Sequence, residues 1–98
     1  MVLNAQQHEK IAKALADPQR FALLEVICRA NGEEVACKEL VSRFSVCQAT
    51  ISHHLKELIA AELIEGRREG QQLMLRARPG VVRHYLDYLG RRLAAVAT

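Results

Sequence analysis

Between Cys47 and Leu63 the polar residues Gln48, Thr50, Ser52, His53 and Lys56 fall within three turns of a helix pattern. Their chemistry is that of reading a duplex. Glutamine can hydrogen-bond adenine through both ends of its amide, and short hydroxyls reach bases or backbone. A histidine can donate to phosphate or guanine, and a lysine neutralises phosphate. Each role has a plainer rival. Thr50 or the neighbouring His54 would serve equally well facing the core or capping a helix, and a surface glutamine is usually just solvated.

A second basic group, Arg67 and Arg68, lies beyond a glycine in a segment of marked charge asymmetry. Residues 1–66 hold seven Lys/Arg against nine Asp/Glu, whereas residues 67–98 hold seven Arg against Glu69 and Asp87. Such a basic segment on a balanced domain fits a polyanionic partner, nucleic acid before membrane, or simply a solvated face. Cys37 and Cys47 both fall near helix starts, where the helix dipole favours thiolate over thiol and makes them candidate redox-sensing residues. Cys28, within an apolar helix pattern, reads as a small buried hydrophobe. A Cys37–Cys47 disulfide is not expected, because a helix of about eight residues at ~1.5 Å each separates the two.

These residues require elements to hold them. A short first helix is predicted from His8 to Ala16, carrying Ile11, Ala12, Ala14 and Leu15. Asp17 and Pro18 then supply an N-cap and a first helical residue for a second helix, mostly buried, that ends at Asn31 and Gly32. Glu33–Val35 is a loop or short strand, and Ala36–Phe44 a short helix with Leu40, Val41 and Phe44 on one face. After the turn at Ser45 and Val46, a longer helix from Cys47 to about Leu63 places Ile51, Leu55, Leu58 and Ile59 inward. Gln48, Ser52, His53 and Lys56 are left on its wetter side. Two helices about so tight a turn form a helix-turn-helix unit, whose second helix enters a major groove by its N-terminal end. Extended stretches either side of a Glu69-Gly70 turn predict a β-hairpin, apolar at its base and basic near its tip. A last helix opens at Pro79, and its apolar stripe (Val81, Val82, Tyr85, Leu86, Tyr88, Leu89, Leu93) is wide enough for a dimer seam beside the first helix. Closing the monomer core is the alternative use of that stripe.

Ninety-eight residues, half of them hydrophobic, make one globular domain spanning 1–98, too thin to hold a second core. No apolar run is long enough to span a membrane, and no secretory leader is recognisable at the N-terminus. Three cysteines fit reduced thiols in a cytoplasmic protein better than a disulfide scaffold.

Three stretches carry a family resemblance over roughly residues 8–93. Residues 14–20, ALADPQR, are similar to the "ALADPTR" opening of the bacterial ArsR/SmtB repressors; residues 48–58, QATISHHLKEL, resemble their recognition helix "QSTVSHHLKVL"; residues 65–71, EGRREGQ, resemble their wing. The resemblance implies a mainly α winged helix-turn-helix fold in the order α-α-α-α-β-β-α, its first and last helices forming a homodimer interface. It also implies a repressor on a pseudo-palindromic operator in double-stranded DNA, released by a chemical signal. Gln48, Thr50, Ser52 and His53 would then read bases or nearby phosphates, with Lys56, Arg67 and Arg68 on phosphate. Family metal sites are not matched. The paired cysteines of "ELCVCDL" become Ala36 and Lys38 around Cys37, and the last helix offers only His84 and Asp87. One thiolate cannot supply the ligands a soft metal needs, so no metal or cofactor is expected. Cys47 stands where the family usually has serine, at the recognition-helix N-cap.

Two other classes of function fit the residues less well. An enzyme would need a pocket and a phosphate loop or H-E-x-x-H signature, none of which is visible. A winged-helix protein-interaction module that never touches DNA would generally lack the polar recognition face and basic wing present here.

Overall fold

The first helix begins earlier than its apolar residues indicate. Asn4 and Gln7 form a reciprocal capping box: the Gln7 amide donates to Asn4 Oδ1 at 2.8 Å, and the Asn4 amide donates to Gln7 Oε1 at 2.9 Å. In the computed structural model, which describes residues 2–94, helix α1 accordingly runs Ala5–Leu15. Asp17 caps α2 (Pro18–Arg29) by accepting from the amides of Gln19 at 2.9 Å and Arg20 at 3.0 Å. Helix α2 buries Leu23, Leu24 and Ile27, but Phe21 and Cys28 stand on its open side, so the helix is less enclosed than its composition predicts. Asn31 and Gly32, both at positive φ, end it.

Strand β1 (Val35–Ala36) leads directly into α3 (Cys37–Phe44). Ser45, left-handed at φ 50°, turns the chain into α4 (Gln48–Ala60). Helix α4 stops short of the predicted Leu63. Glu62 takes a left-handed conformation, and the Leu63 amide donates back to the Leu58 carbonyl at 3.1 Å, a Schellman ending. Such endings favour glycine, so a glutamate there gave no signal. Its carboxylate is held by the Gln7 side-chain amide and by Arg78 at 3.4 Å, which ties α1 and the residue before Pro79 to the end of α4.

Strands β2 (Ile64–Glu69) and β3 (Gln72–Ala77) form the hairpin. The turn is Gly70-Gln71, one residue further along the chain than the predicted Glu69-Gly70, and Gly70 is left-handed at φ +61°. The sheet has three antiparallel strands in the order β1-β3-β2, with Val35 opposite Leu75 and Arg67 opposite Met74. One face, carrying Val35, Ile64 and Leu75, closes the core over Ile11, Leu23, Ile27, Leu40, Ile51, Leu55 and Leu58. Burying each such side chain contributes about 1.5–3 kcal/mol before entropy is counted.

Helix α5 (Pro79–Leu89) runs into a π-helical turn at Gly90–Ala94. Its predicted stripe divides in two. Val81 and Tyr85 are buried, and Tyr88 stacks on His8 of α1 with ring centroids 3.8 Å apart, whereas Leu86 and Leu93 are 60% and 63% exposed. No helix among the described residues is long and apolar enough to cross a membrane.

Candidate nucleic-acid interface

Helix α4 stands on α2 and α3 through Ile51, Leu55 and Leu58, all fully buried. That anchoring leaves Gln48, His53 and Lys56 exposed and Ser52 half-buried. Spacings of three and four residues place these four on one continuous outer face. Thr50 is set apart, half-buried, with its hydroxyl 3.2 Å from the Cys47 sulfur. His54 faces inward at 7% exposure. Its Nε2 meets Gln19 Oε1 at 2.9 Å, while Nδ1 has no hydrogen-bond partner among the described residues. The two conspicuous sequence stretches, 14–20 and 48–58, therefore meet physically: the Asp17-capped end of α2 receives the inner side of the polar helix. Arg20 is largely covered in the same place, its guanidinium 3.9 Å from Asp17 and its Nε unpartnered. Gln19 gave no signal of this role in the sequence, since a polar residue in a first helical turn looks like ordinary surface.

The wing arginines do not act alike. In a pleated strand successive side chains take opposite faces. Arg68 thus shares the face of Gly66, Leu73 and Leu75, the side of the sheet that packs on α4, where Gly66 leaves room for Ile59. Arg67 lies on the other face. There it donates from Nε to Glu34 Oε2 at 2.9 Å and from Nη2 to Glu34 Oε1 at 2.7 Å. Arg76 adds a contact to Glu34 at 3.7 Å. The Arg67 guanidinium, foremost through its hydrogen bonds, holds the Glu34 carboxyl below the usual carboxylate range. Sequence alone puts Glu34 in a loop or short strand, with no role for its carboxylate.

The three cysteines part ways. Cys47 is exposed at the α4 N-cap. The Thr50 hydroxyl, then the Thr50 and Ala49 amides, outweigh a small desolvation and hold its thiol below the ordinary range. Cys37 overturns the expectation drawn from its helix start. It is buried, and desolvation pushes its thiol up, with the Arg68 charge acting weakly the other way. Cys28 is likewise corrected, being exposed rather than a core residue. It opens onto a cavity of about 300 Å³ walled by Ala77, Pro79, Val82, Arg83 and Leu86. Partial desolvation at that mouth raises its thiol too. Among the described residues no three His, Cys, Asp or Glu side chains converge as a metal set, and His84 and Asp87 lie one turn apart on α5.

A helix-turn-helix domain family matches residues 15–67, the span from the end of α1 into the wing. An arsenical resistance operon repressor from Staphylococcus xylosus is 34% identical over 96 residues, covering 98% of this chain and 86% of the relative. The chain belongs to the ArsR family. Solved structures agree. An ArsR-like transcriptional regulator from Rhodococcus matches with a TM-score of 0.74 at 26% identity, over 93% of this chain and 90% of its own. A homodimeric winged helix-turn-helix domain from Mycobacterium bovis shares the fold, with a TM-score of 0.71 at 24% identity over 97% and 91% of the two chains. The ArsR family is one of transcription regulators and not of enzymes, and this member is a DNA-binding transcriptional regulator of winged helix-turn-helix fold.

Proposed function

We propose that the chain works in the bacterial cytoplasm as a homodimeric repressor, occupying a pseudo-palindromic operator and leaving it on a chemical signal. The observation that carries this reading is the outer face of α4, where Gln48, Ser52, His53 and Lys56 stand together on a helix locked from behind. In this reading Gln48, Ser52 and His53 meet base edges and nearby phosphates, Thr50 joins them at the entering end of the helix, and Lys56 and Arg68 supply phosphate contacts. Arg67 belongs to the same wing. The Staphylococcus xylosus relative, described as an operon repressor, supports the sign of regulation. The exposed Leu86 and Leu93 at the C-terminal end of the described chain, with α5 held against α1 by the His8–Tyr88 stack, support dimerisation through α1 and α5. A dimer presents its two reading helices to half-sites about 34–36 Å apart.

Cys47 is the residue we propose for sensing. Its exposed thiol, held below the ordinary range, favours modification, and its position at the start of the reading helix means that an added group would intrude where α4 approaches the duplex. Arsenite is not the proposed signal, because Cys37 is buried and flanked by Ala36 and Lys38 rather than by further thiols.

The test is fluorescence anisotropy of the reduced protein on the DNA upstream of its own gene, at two salt concentrations, before and after alkylation with iodoacetamide. Tight, salt-sensitive binding that alkylation abolishes, and that Cys47→Ser makes resistant to alkylation, bears out the whole reading. Binding that ignores alkylation leaves the repressor and removes the sensor. No selective binding there or to genomic fragments overturns the repressor and favours a protein-interaction role.

A further inference from the structure

Glu34 lies in the segment joining α2 to β1, one residue before Val35 pairs with the hairpin and three before α3 begins. Its side chain is only 20% exposed. Both carboxylate oxygens accept from Arg67 of β2, and Arg76 of β3 approaches from the same face. One carboxylate attached to the helix-turn-helix unit therefore grips both strands of the wing. The edge of Arg67 that would engage a phosphate in two-point fashion is already filled by that carboxylate, and its remaining nitrogen, Nη1, is 3.6 Å from Glu69. Arg68, on the opposite face of the same strand, has neither a hydrogen bond nor an ion pair among the described residues, and it points to the side on which α4 lies.

We infer that Glu34 and Arg67 are positioning residues of the DNA interface: their pair fixes the attitude of the wing to α4, and Arg68 is the wing side chain that the pair delivers to a phosphate. This rests on the DNA-binding reading and deepens it. The base of the hairpin packs on the core and on α4, but its ladder with the body is only the two residues of β1, so its outer part can pivot. A bidentate ion pair across that joint resists the pivot, because guanidinium and carboxylate meet in one plane with two parallel bonds. Lysine at position 67 would keep the charge and lose that geometry.

The experiment measures DNA affinity against salt for the full chain and for Glu34→Gln, Arg67→Ala, Arg67→Lys, Arg68→Ala and the Arg67→Ala/Arg68→Ala double variant. Circular dichroism melts verify that each is folded. Each phosphate contact contributes about 0.9 to the slope of log K against log salt on B-form DNA. Expected is a loss on the order of tenfold for Glu34→Gln, Arg67→Ala and Arg68→Ala alike, the scale of one charge-assisted hydrogen bond. Each should lower the slope by about 0.9, with the double variant no worse than either single one. Arg67→Lys should behave as Arg67→Ala.

Tighter binding by Glu34→Gln would show that Glu34 merely competes with DNA for Arg67 and would overturn the inference. So would a slope loss of about 1.8 in the double variant, which marks two independent phosphate contacts. Hydrogen exchange of the β3 amides in the free proteins is the second measurement. Faster exchange there in Glu34→Gln, with α4 unchanged, supports the brace; unchanged exchange rejects it. That arm stands even if the unaltered chain binds no duplex, a result that would instead sink the DNA-binding reading.

Discussion

At the scale of single residues, chemistry here is set by what each side chain faces more than by its place in an element. Cys37 and Cys47 both open helices, yet one is desolvated beneath the sheet and the other stands in water beside a hydroxyl and two amides. Iodoacetamide at neutral pH should therefore label Cys47 first, with Cys28 and Cys37 following only as the pH rises, and mass spectrometry of quenched digests gives the order. Equal rates at all three would refute the assignment. Glu34 gives a second check. Because its folded pKa is depressed, the pair with Arg67 contributes fully above the ordinary glutamate range and fades only as pH falls through the lowered value. Wing hydrogen exchange, corrected for intrinsic rate, should be the same at pH 7 and pH 5. The sequence made Gln48, Ser52, His53 and Lys56 legible because helical periodicity alone sorts wet from dry. Gln19 and Glu34 stayed hidden because their partners, His54 and Arg67, are more than thirty residues away.

At the scale of elements, the seam between α2 and α4 decides where the reading helix lies. His54 brings a buried imidazole to that seam, and Gln19 is its one hydrogen-bond partner among the described residues. Gln19→Ala leaves that ring unpaired and should cost about 1–3 kcal/mol, read from the urea midpoint at unchanged m-value. The hairpin turn is a separate case. Gly70→Ala forces a side chain into a left-handed backbone and should cost on the order of 1 kcal/mol, although open space surrounds the new methyl. Helix starts at Asp17 and Pro18 were readable because their capping chemistry is local. The ends of α1 and α4 were misjudged by a few residues for the same kind of reason. Asn4 and Gln7 precede any apolar periodicity, and Glu62 does the work of a glycine only with help from Gln7 and Arg78.

At the scale of the whole molecule, a thin core and an apolar edge on α5 argue that one copy is half of the working unit. Leu86→Glu with Leu93→Glu should leave a folded monomer in analytical ultracentrifugation and abolish tight operator binding, whereas a dimer that persists would move the seam elsewhere. The architecture was legible as a whole because helix and strand periods alternate cleanly along the chain. Strand β1 is legible in the sequence only as a loop or strand, since two residues carry no period. That short strand has a kinetic consequence. The β2–β3 pairing is local and can form in microseconds, but joining Val35 to Leu75 closes a loop that contains both α3 and α4. The sheet is thus completed only when the intervening helices have reached a shape that lets residues 35 and 75 meet. In a stopped-flow series, truncating Val35 to alanine should speed unfolding and barely slow refolding, the signature of a contact made after the rate-limiting barrier.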